Sequence, residues 1–360
     1  MLDGVVVILD ASAGVQAQTE LVWDQSQKHS LPSIFFLNKM DKDTSSIEDS
    51  IQSITNRLGA TPLLIQALHP DYFISSPDCS NPSFIDLINL ETCQWASSSK
   101  IEASNSKVLP SEMSIINSIS PSLEEEMRLE RSKVVEKLGD SINEEFHEDF
   151  VTAYFDGMEK GEESEGYFTS IPPSLLNATI QKACHRGEVS PTYLGSSLRG
   201  GIGVECLLDG ICDFLPSPLE RPNIKTFISP RRTKNKVEGG EKDEIKEQFV
   251  DISSLPSTNQ SIDSHSSLLS QIFKVTYDRK RGQFVSFIRI FGGSLRSGDF
   301  IFNSTRQIKE KASQLCKIDG EDLISIKEAK IGDVVAIVGL KHSFTGDTLT
   351  FFNKGWKERF

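Results

Sequence analysis

The chain contains no apolar run of about 18 residues, the length a helix needs to cross a bilayer, so no membrane-spanning helix and no membrane partner are expected. Its six cysteines form no C-x-x-C, and no histidine stands at ligand spacing from a cysteine pair, so no residue is nominated as a metal ligand. The adjacent Cys184-His185 reads as a reduced thiol beside a surface histidine, with a ligand site as its alternative. Reduced cysteines suit the cytosol or the mitochondrial matrix. No G-x-x-x-x-G-K-[ST] occurs, and no D-x-x-G. Nothing in the 360 residues cradles β and γ phosphates or holds Mg²⁺ as those motifs do. Positive charge is also scarce. A net charge of -13 argues against a general nucleic-acid coat, because counterion release needs clustered cations, so RNA binding would have to use local patches and no DNA partner is expected. The hydrophobic fraction, 38%, places part of the length outside any core, and Ser-rich tracts mark where.

What is present begins with strands and helices in alternation. Gly4 to Asp10 is a continuous β-branched run of the kind found in parallel sheets covered on both faces. Residues 15–29 carry Val15, Leu21, Val22 and Trp23 among polar residues and predict a helix that Pro32 closes. Ile34 to Leu37 predicts the next strand, and Ile47, Ile51, Ile54 and Leu58 recur at helical spacing up to Gly59. Strand, helix, strand, helix is the pattern of an α/β domain. Residues 67–122, rich in Ser, Pro and Asn, read as irregular, and 123–160 as helical in an acidic background. A helix over Leu175 to His185, a short strand ending at Gly195-Ser196-Ser197, and a helix from Val204 to Leu215 follow.

Directly after the strand Ile34 to Leu37 stands Asn38-Lys39-Met40-Asp41. An aspartate at the carboxyl end of a buried strand accepts two hydrogen bonds from the N1 and N2 protons of guanine, whereas adenine offers it an acceptor. The wrong base leaves a desolvated charge unpaired, and that is the source of large discrimination. Read as four residues alone, the segment has a solvated turn capping a helix as its lesser alternative. Gly200-Gly201-Ile202-Gly203 reads as a tight turn in preference to a phosphate loop.

Asp3-Gly4-Val5-Val6-Val7-Ile8-Leu9-Asp10-Ala11-Ser12-Ala13-Gly14-Val15-Gln16-Ala17-Gln18-Thr19, with Asn38-Lys39-Met40-Asp41-Lys42, resembles the translational GTPase elongation factor G. The resemblance implies that Asp41 holds N1 and N2 of guanine, that Asn38 braces the loop and approaches N7, and that the stem of Lys39 lies over the base. It also implies a second base-recognition element, a Ser-Ala turn whose backbone N–H meets O6. Here that turn matches Ser196-Ser197, with a serine in place of the alanine. The cofactor implied is GTP, with Mg²⁺ expected only in a full-length protein. No catalytic residue is nominated, because the D-x-x-G and the water-orienting histidine that the family carries after it are missing.

The fold class that follows is α/β: an incomplete P-loop-type GTPase domain with an inserted subdomain, then an all-β translation-factor barrel. The expected divisions are 1–222 for the partial GTP-binding domain, with its insert at about 67–187; 223–267 for a linker that opens on a basic run, Arg231 to Lys236; 268–350 for the barrel; and 351–360 for a tail unlike the family. Short apolar runs at Phe273 to Thr276, Phe284 to Phe291, Asp299 to Asn303 and Val334 to Leu340, separated by Gly turns, support the barrel. In the family a phosphate loop precedes the first strand seen here and further domains follow the barrel, so a chain truncated at both ends is expected.

Asp278-Arg279-Lys280-Arg281-Gly282 and Gly339-Leu340-Lys341-His342 are most similar to the subfamily of mitochondrial ribosome-releasing factors. That likeness implies GTP-dependent ribosome disassembly and recycling in the mitochondrial matrix, with the mitochondrial ribosome, its RNA and a ribosome recycling factor as partners. Arg279, Lys280 and Arg281 would touch ribosomal RNA or form a solvated hairpin tip. The alternatives are the mitochondrial translocase and a non-enzymatic ribosome-binding scaffold.

Overall fold

The computed structural model describes residues 2–68, 83–95, 113–116, 121–159, 171–198, 201–220, 268–279, 281–320 and 322–351. The expected linker at 223–267, Lys280 and residues 352–360 of the expected tail lie outside them. The chain divides into two compact units, one from Leu2 to Pro216 and one from Ser217 onward.

The first unit opens with β1 (Val5–Asp10), α1 (Ala17–Gln27), β2 (Ser33–Asn38), α2 (Ile47–Leu58) and β3 (Pro62–Leu64). Branching at Cβ restricts χ1 and favours extended backbone, which suits Val5-Val6-Val7-Ile8 to a strand. Ser46 starts α2 by accepting the Asp49 N–H at 3.1 Å, and Gly59 ends it in the left-handed region at φ 63°. An antiparallel set follows, β4 (Gln66–Leu68), β5 (Ser83–Asp86), β6 (Glu91–Trp95) and β7 (Met113–Ile116). The unit closes with α3 (Pro121–Ser141), a 3-10 turn at Glu144–Phe146, α4 (Glu148–Glu159), α5 (Pro173–Arg186), β8 (Ser190–Leu194) and α6 (Val204–Phe214).

β1, β2, β8 and β3 form a parallel sheet in the order β1-β2-β8-β3. β2 explains why its sequence is a continuous apolar run. Ile34 and Phe36 enter one core with Leu138, Ile180 and Leu207, while Phe35 and Leu37 enter another with Trp23, Ile54 and Leu58. Each such side chain contributes about 1.5–3 kcal/mol of burial free energy, so β2 is a firmly held strand for carrying a site.

The reading of 67–122 as irregular is corrected in its described part. β4 to β7 pair as a four-stranded antiparallel sheet. Its strands are three to five residues long and bury Ser83 and Thr92 beside Phe84 and Trp95, so hydrophobic density along the sequence does not reveal them.

The second unit is all antiparallel: β9 (Leu268–Asp278), β10 (Gln283–Arg296), β11 (Phe300–Asn303), β12 (Ile308–Lys311), β13 (Gln314–Asp319), β14 (Asp322–Ile326), β15 (Glu328–Lys330), β16 (Val334–Val338) and β17 (Thr348–Phe351). Pairing runs β12-β11-β17-β9-β10-β16-β13-β14, with β15 on β10. β10 pairs with β16 through Val285 to Arg289 and with β15 through Ser294 to Arg296, and its register against β9 shifts after Phe287 and after Ile290. Such irregularities bend a strand and let one sheet wrap a core, here Leu268, Ile272, Ile288, Leu315, Ile337 and Leu349.

Candidate functional site

Parallel strands bring their carboxyl ends to one edge, the position where open α/β sheets bind ligands. Asp10 and Asn38 end β1 and β2 in direct register, and β8 ends one residue before Gly195. Between β2 and β8 the backbone ties off the two loops: Gly195 N–H donates to the Leu37 carbonyl at 3.0 Å, and Met40 N–H donates to the Gly195 carbonyl at 3.1 Å. Gly195 has to be glycine. A Cβ there would stand 2.5 Å from the Ile202 carbonyl oxygen and 2.5 Å from the Phe36 ring.

On this frame the nominated side chains meet. Asn38 Nδ2 donates to Ser197 Oγ at 3.1 Å, and Ser197 N–H donates to Asn38 Oδ1 at 3.0 Å. The buried Ser196 hydroxyl donates to Asp41 Oδ1, across 155 residues of sequence. A carboxylate offers about four acceptor positions, so capacity remains on Asp41 for two further donors. The Ser197 N–H, assigned by resemblance to a base oxygen, is engaged by Asn38 here, and an incoming acceptor would compete with Asn38 for it. Met40 is 1% exposed and packs with Phe35, Leu37 and Ile54, so it anchors the loop from below.

Lys39 adopts φ 64°, a left-handed conformation that is uncommon outside glycine and turns the chain sharply between Asn38 and Met40. Its Nζ lies 2.7 Å from Asp10 Oδ2, and Lys42 Nζ lies 3.3 Å from the same oxygen. Asp10 Oδ1 takes the Ser12 N–H at 3.0 Å and the Ser12 hydroxyl at 2.6 Å. The Lys39 ammonium, then the Ser12 hydroxyl, then the Ser12 N–H and Lys42 together outweigh burial and hold the Asp10 carboxyl well below the usual carboxylate range. Asp10 therefore pins the Lys39 head group at the site's edge. Sequence reasoning did not single out Asp10; its place as the last residue of an apolar strand was the signal.

Two further supports were missed. Gln66, 2% exposed, accepts the Leu194 N–H through Oε1 at 3.1 Å, which fixes the residue that enters the Gly195 turn. Gly203, at φ 80°, lies where a Cβ would come 2.2 Å from the Leu194 carbonyl oxygen, and Ser196 N–H donates to the neighbouring Ile202 carbonyl at 2.9 Å. Of the glycine segment at 200–203, Gly201 and Gly203 both have positive φ and form a turn into α6, as its tight-turn reading anticipates. Among the described residues no cluster of three or more His, Cys, Asp or Glu could hold a metal.

Residues 1–217 match the family model described as the elongation factor Tu GTP binding domain, and residues 268–352 match elongation factor G domain 2. Among curated proteins the chain is 30% identical over 364 residues to "Ribosome-releasing factor 2, mitochondrial" of Emericella nidulans, covering 97% of this chain and 37% of that protein. It is 27% identical over 349 residues to elongation factor G of Fervidobacterium nodosum, covering 97% and 42%. It is 32% identical over 349 residues to elongation factor G 1 of Syntrophomonas wolfei, covering 97% and 43%. The chain thus spans well under half the length of these relatives. A crystal structure of a protein from Thermus thermophilus superimposes with a TM-score of 0.64 at 21% identity over 99% of this chain and 42% of that one, which shows a shared fold.

Proposed function

The chain belongs to the elongation factor Tu GTP-binding domain family, within the translational GTPases of the elongation factor G type, and from that premise we propose that Asn38, Lys39, Asp41, Ser196 and Ser197 form its guanine-recognition site. The observation that carries the reading is the convergence of two loops, 155 residues apart in sequence, through the Ser196–Asp41 and Asn38–Ser197 bonds. Asp41 accepts the N1 and N2 protons of the base, and the Ser196 hydroxyl fixes the carboxylate for that role. Asn38 and Ser197 lock the second loop over the first. Lys39, held by Asp10, covers one face of the base with its methylene stem. Preorganised acceptors in a partly desolvated loop discriminate because a mismatched base leaves them unpaired.

These residues supply base recognition. The phosphates and Mg²⁺ need groups of the phosphate-loop type, so GTP turnover belongs to a protein that carries both. In such a protein the activity we propose is GTP-dependent disassembly and recycling of the mitochondrial ribosome in the matrix, with a recycling factor as partner, supported by the likeness to the mitochondrial ribosome-releasing factor. On this reading residues 1–222 form the GTP-binding domain with its insert at about 67–187, joined by the linker at 223–267 to a barrel that opens at 268 and, through β17, takes in Phe351, one residue beyond its expected end at 350.

The test is competition for a fluorescent guanine nucleotide bound to the purified chain. GDP and GTP displace it and ATP does not. Equal displacement by ATP would contradict the assignment. Sedimentation of the chain with mitochondrial ribosomes, against bacterial ribosomes as control, tests the partner.

A further inference from the structure

The antiparallel sheet β4–β7 meets the segment around Ser196 and Ser197 through three of its strands. From β4, Gln66 accepts the Leu194 N–H at 3.1 Å. From β5, the buried Phe84 ring closes over Gly203, where a Cβ would stand 3.1 Å from its Cε2. From β6, the Nε1–H of Trp95 donates to Glu205 Oε2 at 3.1 Å, in the first turn of α6. Phe84 and Trp95 pack edge to face, with ring centroids 5.4 Å apart at 71°. Both rings share one core with Leu194 and Ile202.

Glu205 is the point at which this sheet grips α6. The helix starts from Gly203, which has no side chain to cap it, and Glu205 is the acidic residue of its first turn, where free backbone N–H groups favour a carboxylate. Trp95 is 0% exposed, so its indole N–H depends on that carboxylate for a partner. From Glu205 the path to the site is short. Gly203 precedes the helix, the Ile202 carbonyl before it accepts the Ser196 N–H at 2.9 Å, and the Ser196 hydroxyl donates to Asp41. Gly203 is also confined from the β8 side, since a Cβ would come 2.2 Å from the Leu194 carbonyl oxygen. A displacement of α6 at Glu205 therefore carries Ile202 and the Ser196 hydroxyl with it.

We propose that Trp95 and Glu205 are positioning residues for the segment that carries Ser196 and Ser197, and that through them the β4–β7 sheet sets the affinity of the site for guanine. The consequence for affinity rests on the guanine reading; the brace does not. Neither residue is among those assigned to the base. Both act through Gly203, Ile202 and Ser196 on the Asp41 carboxylate. Coupling between two sites is reciprocal. A nucleotide that orders Ser196 and Asp41 also steadies the Trp95 N–H, and a change that displaces β6 weakens the base site.

The experiment compares the 360-residue chain with its Glu205→Ala, Glu205→Gln and Trp95→Phe variants and with the Glu205→Ala, Trp95→Phe double variant. Amide hydrogen exchange of peptic peptides covering 194–198 reads the brace without nucleotide, and GDP titration reads its consequence. Glu205→Ala alters a half-buried position and leaves the core intact. It should speed exchange at Gly195 to Ser197 and weaken GDP binding by about tenfold, the worth of one hydrogen bond to a charged group. Glu205→Gln keeps an acceptor oxygen and should recover most of both. Adding Trp95→Phe to Glu205→Ala should cost little further GDP affinity, because the bond is already gone. In the unsubstituted chain the Trp95 indole N–H resonance, assigned by its absence in Trp95→Phe, should shift when GDP is added. Exchange and GDP affinity unchanged in Glu205→Ala would overturn the proposal. So would a Glu205→Gln chain no better than Glu205→Ala, or losses that add in the double variant. If the unsubstituted chain bound ADP as well as GDP while Glu205→Ala still loosened 194–198, the guanine reading would fail and the brace would stand.

Discussion

Asn38 and Ser197 bind each other in both directions, side-chain amide to hydroxyl at 3.1 Å and backbone N–H to side-chain carbonyl at 3.0 Å, although 159 residues separate them. This pair closes the β2 loop onto the β8 loop, and Asn38→Ala removes both bonds at once. Each is worth about 0.5–1.5 kcal/mol, and solvent exposure puts them at the low end, so stability should fall by about 1 kcal/mol. Guanine-nucleotide affinity should fall by about tenfold, the cost of an unbraced loop at roughly 1.4 kcal/mol. Denaturant melts and a GDP titration check the two effects.

Gly195→Ala tests the frame without touching a polar group. The new methyl meets the Ile202 carbonyl oxygen and the Phe36 ring, both at 2.5 Å, and one of them is backbone. Overpacking of this kind costs about 1–3 kcal/mol, and the displaced β8 loop should lose nucleotide binding with it. Wild-type affinity and melting temperature in this variant would show that the two loops are not registered by Gly195.

The Asp10 ion pairs predict a pH dependence. The Lys39 ammonium, assisted by Ser12 and Lys42, lowers the folded-state value below the unfolded one, so the contribution is fully present above the ordinary carboxylate range. It is lost as pH falls through the depressed folded value. The pairs are solvent-accessible, so the contribution stays under about 1 kcal/mol. Asp10→Asn should be less stable than wild type by that amount at neutral pH, with the gap closing below about pH 4, where the unfolded aspartate is itself protonated. A gap that widened toward acid would contradict the assignment.

In the second unit, Asp347 is 3% exposed and accepts from Asn303 Nδ2 at 2.8 Å, Phe344 N–H at 2.9 Å and Arg306 Nε at 2.7 Å. Burial raises its pKa, but these donors more than offset it and the net shift is downward. Asp347→Ala leaves the buried Asn303 amide short of a partner and should cost about 3 kcal/mol. Circular dichroism melts of this variant should show the loss at neutral pH. The wild-type contribution should disappear as pH drops below the carboxylate range.

Much of the candidate site was legible because its parts are local. Asn38 to Asp41 follow a strand whose unbroken apolar run, Ile34 to Leu37, suits burial on both faces, and Ser196-Ser197 follow another strand. The Asp10–Lys39 bond was not legible, since 29 residues separate partners that only strand register aligns. The Ser196 hydroxyl on Asp41 escaped for the same reason: it depends on which strand neighbours which. β5 to β7 escaped because strands of four or five residues with buried Ser83 and Thr92 carry too little hydrophobic contrast.

Asp41 is the residue on which the account stands, and exchange of its carboxylate for an amide tests it most directly. In Asp41→Asn one acceptor oxygen becomes a donor, which suits the 2-oxo group of xanthine and opposes the 2-amino group of guanine. Competitive titration of the wild-type and variant chains with GDP, XDP and ADP should show wild type selecting GDP and the variant selecting XDP, with a combined change in preference of about 10³-fold or more. GDP affinity unchanged by the substitution, with no gain for XDP, would remove Asp41 from the base site and with it the reading of these loops as a guanine selector.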